Sequence, residues 1–273
     1  MEAGWLQLRT GKRERGARRQ RPGNGLMTPL VLILALLAWE GIVRVGNYPA
    51  FILPSPGRVG TTLVRVVANG TLWRHAQVTL VEVLGGLALG VSVATVLGYV
   101  LARSVTIERA LSPYIVGSQA VPIVAIAPLL VIWFGPGMLS KVLVSALIVF
   151  FPILINTVVG VRAVEPDLLD LMRSLWATRW QIFLKLEVPS ALPVLLGGLK
   201  IGATLSVIGA VVGEFAGAER GLGFLISLSN NALYDTPQMF VAILALVVMA
   251  LSLYGAVAAV ERRALAWRQN GYK

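Results

Sequence analysis

Cysteine is absent from the 273 residues, and histidine occurs once, at His75. Without cysteine the chain can form no disulfide, no thiolate metal site and no cysteine nucleophile. A single histidine also excludes a pair of histidines as metal ligands. No apolar segment of the chain pairs a nucleophile with a base, so we predict no catalytic site, no metal site and no cofactor.

Charged residues are scarce as well, at 14% of the sequence, while 56% of the residues are hydrophobic. A water-exposed domain usually carries about 25% charged residues. The mean hydropathy of the chain is +0.77. Most of the surface is therefore predicted to face lipid.

Acidic residues are fewer than basic ones, 13 against 24, and the formal net charge is +11. Many of the bases lie in a basic N-terminal tail, 1–25, which precedes a membrane domain, 26–273. A basic tail can bind nucleic acid. This one abuts an apolar segment, where basic residues fix topology and contact anionic headgroups, so no nucleic-acid partner is predicted.

Long apolar segments make up most of the membrane domain. A helix needs about 20 apolar residues to cross a bilayer. Six segments qualify: 27–46, 83–102, a stretch within 110–140, 142–161, 194–213 and 236–260. The four prolines between residues 113 and 136 are expected to kink or break the third segment. No small-x-small cleavage site follows the first, so we expect an uncleaved anchor. The predicted fold class is all-α, a polytopic membrane protein with six transmembrane helices.

Lys and Arg are unevenly distributed between alternate connections. With the N-terminus in the cytoplasm, 17 of them fall in cytoplasmic segments and five in outer loops. The five are Arg58, Arg65, Arg74, Lys141 and Arg220. Because cytoplasmic loops carry the basic excess, both termini are predicted to be cytoplasmic.

Glycines recur at a spacing of four within the apolar segments: Gly86 and Gly90, Gly198 and Gly202, and Gly209, Gly213 and Gly217. Small residues at this spacing let helix backbones approach closely in lipid. We favour packing inside one bundle over a seam between two copies.

The longest polar connection, 165–193, has an amphipathic pattern. Apolar residues recur at helical spacing after Pro166, and a second helical run, from Trp180 to Leu186, is expected to stop before Pro189. We predict two short cytoplasmic helices joined near Ala177-Thr178. Such helices dock into a groove on a partner or lie flat on the headgroups, and the pattern alone leaves both open.

The stretch LLDLMRSLWATRWQIFLKLEVPSALP resembles the coupling loop, or EAA loop, of bacterial binding-protein-dependent ABC permeases. The similarity extends from about Leu53 through the last apolar segment. It is greatest to permeases for sulfonates, taurine, nitrate and heterocyclic vitamins or their precursors. It implies a type I ABC importer (MetI-like) permease fold, with ATPase-coupling roles for Asp170, Met172, Arg173, Leu175, Trp176, Ala177, Arg179, Trp180, Ile182, Pro189 and Pro193.

The loop departs from the family pattern at several positions. Asp170 replaces the usual Glu, and Trp176 stands where the motif has Gly. Trp tolerates a left-handed backbone poorly. We therefore expect Ala177-Thr178 to make the turn, with Trp176 filling a groove on the ATPase.

The resemblance also implies partners. These are cytosolic ABC ATPase subunits, an extracytoplasmic solute-binding protein and a second permease copy, all at the bacterial inner membrane. The chain has no G-x-x-x-x-G-K-[ST] phosphate loop, so ATP hydrolysis is expected on a separate subunit. An ion-coupled secondary transporter is disfavoured because the second, third, fourth and sixth segments contain no ionisable residue.

Two further features of the sequence bear on the substrate and on the transport pathway. The run LKIGATLSVIGAVVGEFAGAERGLGFLI is more similar to permeases for riboflavin or the thiamine pyrimidine precursor than to those for sulfonate, taurine or nitrate, which remain the alternative. Glu214, at the end of the fifth segment, is interpreted as an acid solvated by water or paired with Arg220, or else as a gate in the pathway.

The charge distribution generates a topology prediction. Reporter fusions after Arg109 and Lys273 should report the cytoplasm, and a fusion after Asn230 should report the outer side. The three fusions are read together, with alkaline phosphatase and a cytoplasmic fluorescent reporter at each site. An outer signal at Arg109 would contradict the six-segment topology.

Overall fold

The computed structural model describes residues 27–231 and 234–266, so the basic tail predicted for 1–25 lies outside the described residues. The chain divides into two units, Met1–Asn47 and Tyr48–Lys273. The described part of the first unit holds helix α1, Met27–Val45, in which Arg44 pairs with Glu40 at 2.6 Å. Regular structure in the described residues is entirely helical, which confirms the all-α prediction.

The second unit contains the remaining helices. They are α2 (Pro56–Ala68), α3 (Thr71–Arg103), α4 (Val105–Gln119), α5 (Ile123–Phe134), α6 (Met138–Arg162), α7 (Pro166–Ser174), α8 (Arg179–Ile182), a π-helical turn (Phe183–Glu187), α9 (Val188–Gly217), α10 (Leu222–Asn231) and α11 (Thr236–Ala264).

Four stretches of helix are long and apolar enough to cross a membrane: Thr71–Arg103, Met138–Arg162, Arg179–Gly217 and Thr236–Ala264. A fifth span is possible if α4 and α5, which are bent by 93° at their break, count as one. This finding covers the described residues only. The spans support the polytopic prediction, while the count of six is not confirmed.

The bend between α4 and α5 confirms the prediction of a broken third segment. Pro122 stands at the N-cap of α5, where its missing N–H costs no hydrogen bond. Pro136 lies in the short link before α6. Pro113 and Pro128, in contrast, lie inside α4 and α5. Chain breaks therefore coincide with only two of the four prolines.

The helix α3 begins 12 residues before the predicted start at 83. Its additional three turns contain His75, Thr79 and Glu82, so the sequence boundary was wrong. These residues are part of the helix because Thr79 and Glu82 lie on the same buried face as Val83 and Gly86. A search for apolar runs stops at the first acid and misses such an extension.

The helices α3 and α9 both pack against α6 and against each other, and the three form the centre of the unit. The closest approaches occur at glycines. A Cβ on Gly90 would lie 2.8 Å from the carbonyl oxygen of Ala146, and one on Gly209 would lie 2.5 Å from the Cα of Ser145. Gly198, Gly202, Gly213 and Gly217 likewise face side chains of α5 or α6. These contacts confirm packing within one bundle.

Side-chain contacts distinguish two ends of this unit. At the end called here the α10 end, the last turns of α9 meet the first turns of α3 and α10, through Glu214, Thr79 and Gly223. At the opposite end, called the loop end, Arg103 of α3 pairs with Glu187 beside the π-helical turn.

The π-helical turn corrects a second boundary. Instead of stopping before Pro189, the helix that starts at Arg179 continues through Phe183–Glu187 into α9. The N–H of Val188 bonds to the carbonyl of Phe183, five residues earlier. This wider turn leads into a new helical start, and Pro189 occupies its first turn, where no N–H is required.

The close packing at Gly209 generates a prediction with an internal control. Gly209→Ala should destabilise the protein by roughly 1–3 kcal/mol, because the added methyl meets backbone that cannot move aside cheaply. Gly197→Ala, in the same helix but with nothing within 4 Å of its Cβ, should be neutral or stabilising, since Ala is the better helix former by about 1 kcal/mol. Thermal unfolding of the purified variants measures both. Equal midpoints for the two would contradict the packing.

Candidate functional site

The candidate site is the segment that joins α6 to α9, here the α7–α8 segment, residues 165–187. Glu165 precedes α7 in an extended conformation, and Pro166 occupies its first turn. Thr178 starts α8 with a capping box, in which Gln181 N–H bonds to the Thr178 hydroxyl and Thr178 N–H bonds to the Gln181 side chain at 2.8 Å. The two helices join at 175–178, as the sequence predicted.

The turn itself differs from the prediction, because Trp176 adopts the left-handed backbone conformation, with φ of 57°. Trp176 N–H bonds to the Arg173 carbonyl at 3.0 Å, and Ala177 N–H bonds to the Met172 carbonyl at 3.0 Å. These two bonds form a Schellman motif, which usually has Gly at the left-handed position. A non-glycine residue there costs roughly 1–2 kcal/mol. The turn is therefore made by Trp176 rather than by Ala177-Thr178.

The side chain of Trp176 is also the most exposed large apolar side chain of the described residues, at 93%. Leu175 and Trp180 beside it are about two-thirds exposed, at 67% and 66%. Leu168 and Leu171 extend the exposed apolar surface along α7. A surface of this kind, next to charged residues, is typical of a binding site for another protein or a membrane.

Beneath the exposed tip, the α7–α8 segment is fixed to α3 by aromatic and charged contacts. Trp180 stacks on Phe183 with centroids 5.3 Å apart, and Phe183 meets the edge of Tyr99 at 5.3 Å. Arg103 bonds to the Tyr99 hydroxyl at 3.2 Å and pairs with Glu187, which is buried. A motion of the tip can therefore be transmitted to α3.

A cavity of about 880 Å³ opens between the tip and α3. Arginines and aromatic residues line it, including Arg103, Arg173, Arg179, Tyr99 and Trp180. Asp170 lies on α7 and pairs with Arg173 at 3.0 Å, three residues on.

The structure brings most of the predicted coupling residues together. Asp170, Met172, Arg173, Leu175, Trp176, Ala177, Arg179, Trp180 and Ile182 all lie within the α7–α8 segment, with Ile182 as its buried member. Pro189 and Pro193 lie in α9 instead, at its start and inside it. Sequence reasoning missed Tyr99, Arg103 and Glu187, because contacts between helices 80 or more residues apart leave no local pattern.

Glu214 lies at the α10 end, where it is buried with 2% exposure. It accepts hydrogen bonds from the Thr79 hydroxyl at 2.6 Å and from Gly223 and Phe224 N–H. Glu214 thus caps α10, whose first N–H groups have no partner within the helix. No ion pair between Glu214 and Arg220 occurs in the described residues, and a gating role stays a prediction.

Two further ionisable side chains are buried near Glu214: Glu82 of α3 and Lys141 of α6. The Lys141 ammonium donates to the carbonyl oxygen of Pro136. His75 holds the same region, with Nδ1 3.0 Å from Gly221 O and its ring stacked near Phe224. The predicted segments 83–102 and 142–161 hold no charged residue, but α3 and α6 extend beyond them and bury Glu82 and Lys141.

The fold and the exposed segment define a class: a multi-pass helical membrane protein that presents a structured loop at one end. Comparison with known proteins gives the family. Residues 86–265 match the family described as binding-protein-dependent transport system inner membrane component.

Similar proteins of known name support the match. The chain is 45% identical over 249 residues to the riboflavin transport system permease protein of Chloroflexus aurantiacus, covering 91% of this chain and 92% of that one. It is 34% identical over 251 residues to the formylaminopyrimidine transport permease protein of Halalkalibacterium halodurans, covering 92% and 99%. In fold it resembles a chain of an inward-facing MetNI methionine ABC transporter, with a TM-score of 0.63, 19% identity and coverage of 71% and 96%.

The chain belongs to the inner-membrane component family of binding-protein-dependent transport systems. It is a multi-pass inner-membrane protein and the permease subunit of an ABC importer. The resemblance inferred from the coupling-loop residues is confirmed at the level of the family, and so is the MetI-like fold.

Proposed function

We propose that this permease imports a heterocyclic vitamin or vitamin precursor and is driven through the α7–α8 segment by a separate cytosolic ATPase. The observation that carries the coupling role is Trp176. A large aromatic side chain stands almost fully exposed at the tip of the segment, on a backbone that disfavours it. A partner groove that buries the indole supplies the compensating free energy.

The contacts beneath the tip support a path for the motion. The α7–α8 segment is continuous with α9 through the π-helical turn and pairs with α3 through Arg103 and Glu187. When the ATPase subunits close and displace Trp176, α3 and α9 would therefore move together. Alternating access by movement of packed rigid elements follows from such a linkage.

The remaining partners follow from the family. A binding protein on the outer side delivers the solute to the α10 end, and the loop end faces the cytoplasm with both termini. The 17 to five distribution of Lys and Arg supports this orientation. We also propose that two identical copies of the permease line the path, and that ATP is hydrolysed outside this chain.

Riboflavin or a thiamine pyrimidine precursor is the proposed solute class. Support comes from the names of the two relatives, one a riboflavin permease at 45% identity and the other a formylaminopyrimidine permease at 34%. Both matches span more than 90% of each chain. The two solutes share a nitrogen heterocycle that includes a pyrimidine ring.

The coupling proposal predicts the behaviour of Trp176 variants. Trp176→Ala should lower affinity for the ATPase by roughly 30- to 1,000-fold, the range expected for loss of a buried aromatic anchor, and should abolish uptake. Trp176→Gly should do the same, although Gly relieves the left-handed strain and leaves the permease at least as stable. Asp170→Lys should also weaken assembly if its carboxylate meets a cation on the partner. ATPase retained on the purified permease and uptake by cells are measured for each variant.

The matched control is Trp73→Ala, which removes a 67% exposed tryptophan from α3 near the α10 end and should leave ATPase retention unchanged. A helix that merely lies on the headgroups gives another result. In that case, Trp176→Ala and Asp170→Lys keep both the ATPase and uptake at the level of the unaltered permease, and the coupling proposal is wrong.

The substrate proposal predicts competition between solutes. Cells that express the permease with its partner ATPase and binding protein should take up labelled riboflavin or the labelled pyrimidine precursor in an ATP-dependent manner. Excess unlabelled taurine or nitrate should not compete. Uptake of taurine, a sulfonate or nitrate in place of the heterocycles would reject this solute class while leaving the coupling role intact.

A further inference from the structure

A buried cluster of ionisable side chains at the α10 end has no part in the coupling role. Glu82 from α3, Lys141 from α6 and Glu214 from α9 are each 2% exposed. They lie near the place where α3 and α9 contact α10. Burying three ionisable groups in a bundle that spans lipid is costly unless their charges balance and their polar atoms are bonded.

The surroundings of Glu214 identify it as the ionised member of the cluster. Its Oε1 accepts from the Thr79 hydroxyl at 2.6 Å, and its Oε2 accepts from the N–H groups of Gly223 and Phe224, the latter at 3.1 Å. Thr79 Oγ1 itself accepts from Leu222 N–H at 2.8 Å, which leaves its hydroxyl proton for Glu214. Both oxygens of Glu214 thus receive hydrogen bonds from donors.

The surroundings of Glu82 are the opposite. Its Oε2 is buried, and no donor group of the described residues forms a hydrogen bond to it. Glu82 lies within hydrogen-bond reach of the Glu214 carboxylate, with the Lys141 ammonium as a further charged neighbour. Two ionised carboxylates would repel one another and leave this oxygen unsatisfied. A proton on Glu82 removes both problems, because its hydroxyl can then donate to Glu214.

The charge balance leads to the same arrangement. Lys141 supplies one positive charge and donates to the carbonyl of Pro136 without forming an ion pair in the described residues. One ammonium, one carboxylate and one neutral acid give a cluster with no net charge. The other titratable groups that face it are His75, engaged with Gly221, and Glu219 and Arg220, both exposed on the loop before α10.

We propose that Glu82 and Glu214 hold a single shared proton, carried by Glu82, and that this buried proton-binding site holds α10 against α3 and α9. A second charge at Glu82 would face the carboxylate that caps α10. Loss of the proton would therefore weaken the cap and free the first turn of α10.

Infrared spectroscopy of the full-length permease in lipid nanodiscs tests the proposal. At neutral pH the protein should show a protonated-carboxyl C=O band that shifts on labelling with carboxyl-¹³C glutamate. Glu82→Gln should remove this band and keep the thermal midpoint of the unaltered protein, because the amide replaces the hydroxyl as a donor to Glu214. Glu219→Gln, which changes an exposed acid on the same loop, should keep the band.

The position of the proton is tested by Glu214→Gln. In either orientation that amide places an N–H group where the carboxylate accepts a hydrogen bond, facing the Thr79 hydroxyl or the N–H groups of Gly223 and Phe224, so a clear fall in the thermal midpoint is expected. If no band is lost in Glu82→Gln, or if Glu82→Gln lowers the midpoint as much as Glu214→Gln, the proposal is overturned. A band that is retained in Glu82→Gln and lost in Glu214→Gln would also overturn it, because the proton would then belong to Glu214.

Discussion

The structure depends on the close approach of α3 and α9 to the central helix α6. In lipid the hydrophobic effect does not drive helices together, so association relies on contact between surfaces and on hydrogen bonds. Gly86 of α3 and Gly209 of α9 both face Ser145 of α6, and the Ser145 hydroxyl bonds to the Ser206 carbonyl at 3.0 Å. Ser145 of α6 thus contacts both α3 and α9. The positions of the other helices depend on this contact among three helices.

Both functional regions follow from that arrangement. At the loop end, the packing of α3 beside α6 places Tyr99 and Arg103 where Phe183 and Glu187 meet them. At the α10 end, the same three helices converge at Glu82, Lys141 and Glu214. A site for force transmission and a buried polar cluster therefore lie at opposite ends of one packed core. A change in the packing of α6 affects both.

The sequence was informative wherever the signal was local. Apolar runs located most of the spans, glycines at a spacing of four located the helix contacts, and the residues around Arg179 and Pro189 identified the family. The prolines of the third segment correctly indicated a break, which the structure places at Pro122 and before α6. These features depend on neighbours within a few residues, so composition and spacing are sufficient to find them.

The sequence failed where backbone hydrogen bonds or contacts between helices override the preference of a single residue. Trp176 adopts a conformation that its side chain disfavours, because the Schellman bonds of α7 require it. Pro189 does not end the helix, since the π-helical turn changes the register before it. Glu82 falls outside an apolar run, yet α3 extends past it and buries it against α9. In each case the deciding partner lies in a turn or helix that spacing alone cannot locate.

The uninterrupted helix from Arg179 to Gly217 has a mechanical consequence. Its 39 residues span roughly 58 Å at about 1.5 Å per residue, so one stiff rod joins the exposed tip to the cap of α10. A flexible linker would absorb a small displacement, whereas a rod passes it on as a tilt. The π-helical turn, followed by Pro189 and Pro193, disturbs the regular i to i−4 hydrogen bonds near the exposed tip. Bending is therefore expected close to the tip, whereas the far end is held by the hydrogen bonds of the buried Glu214.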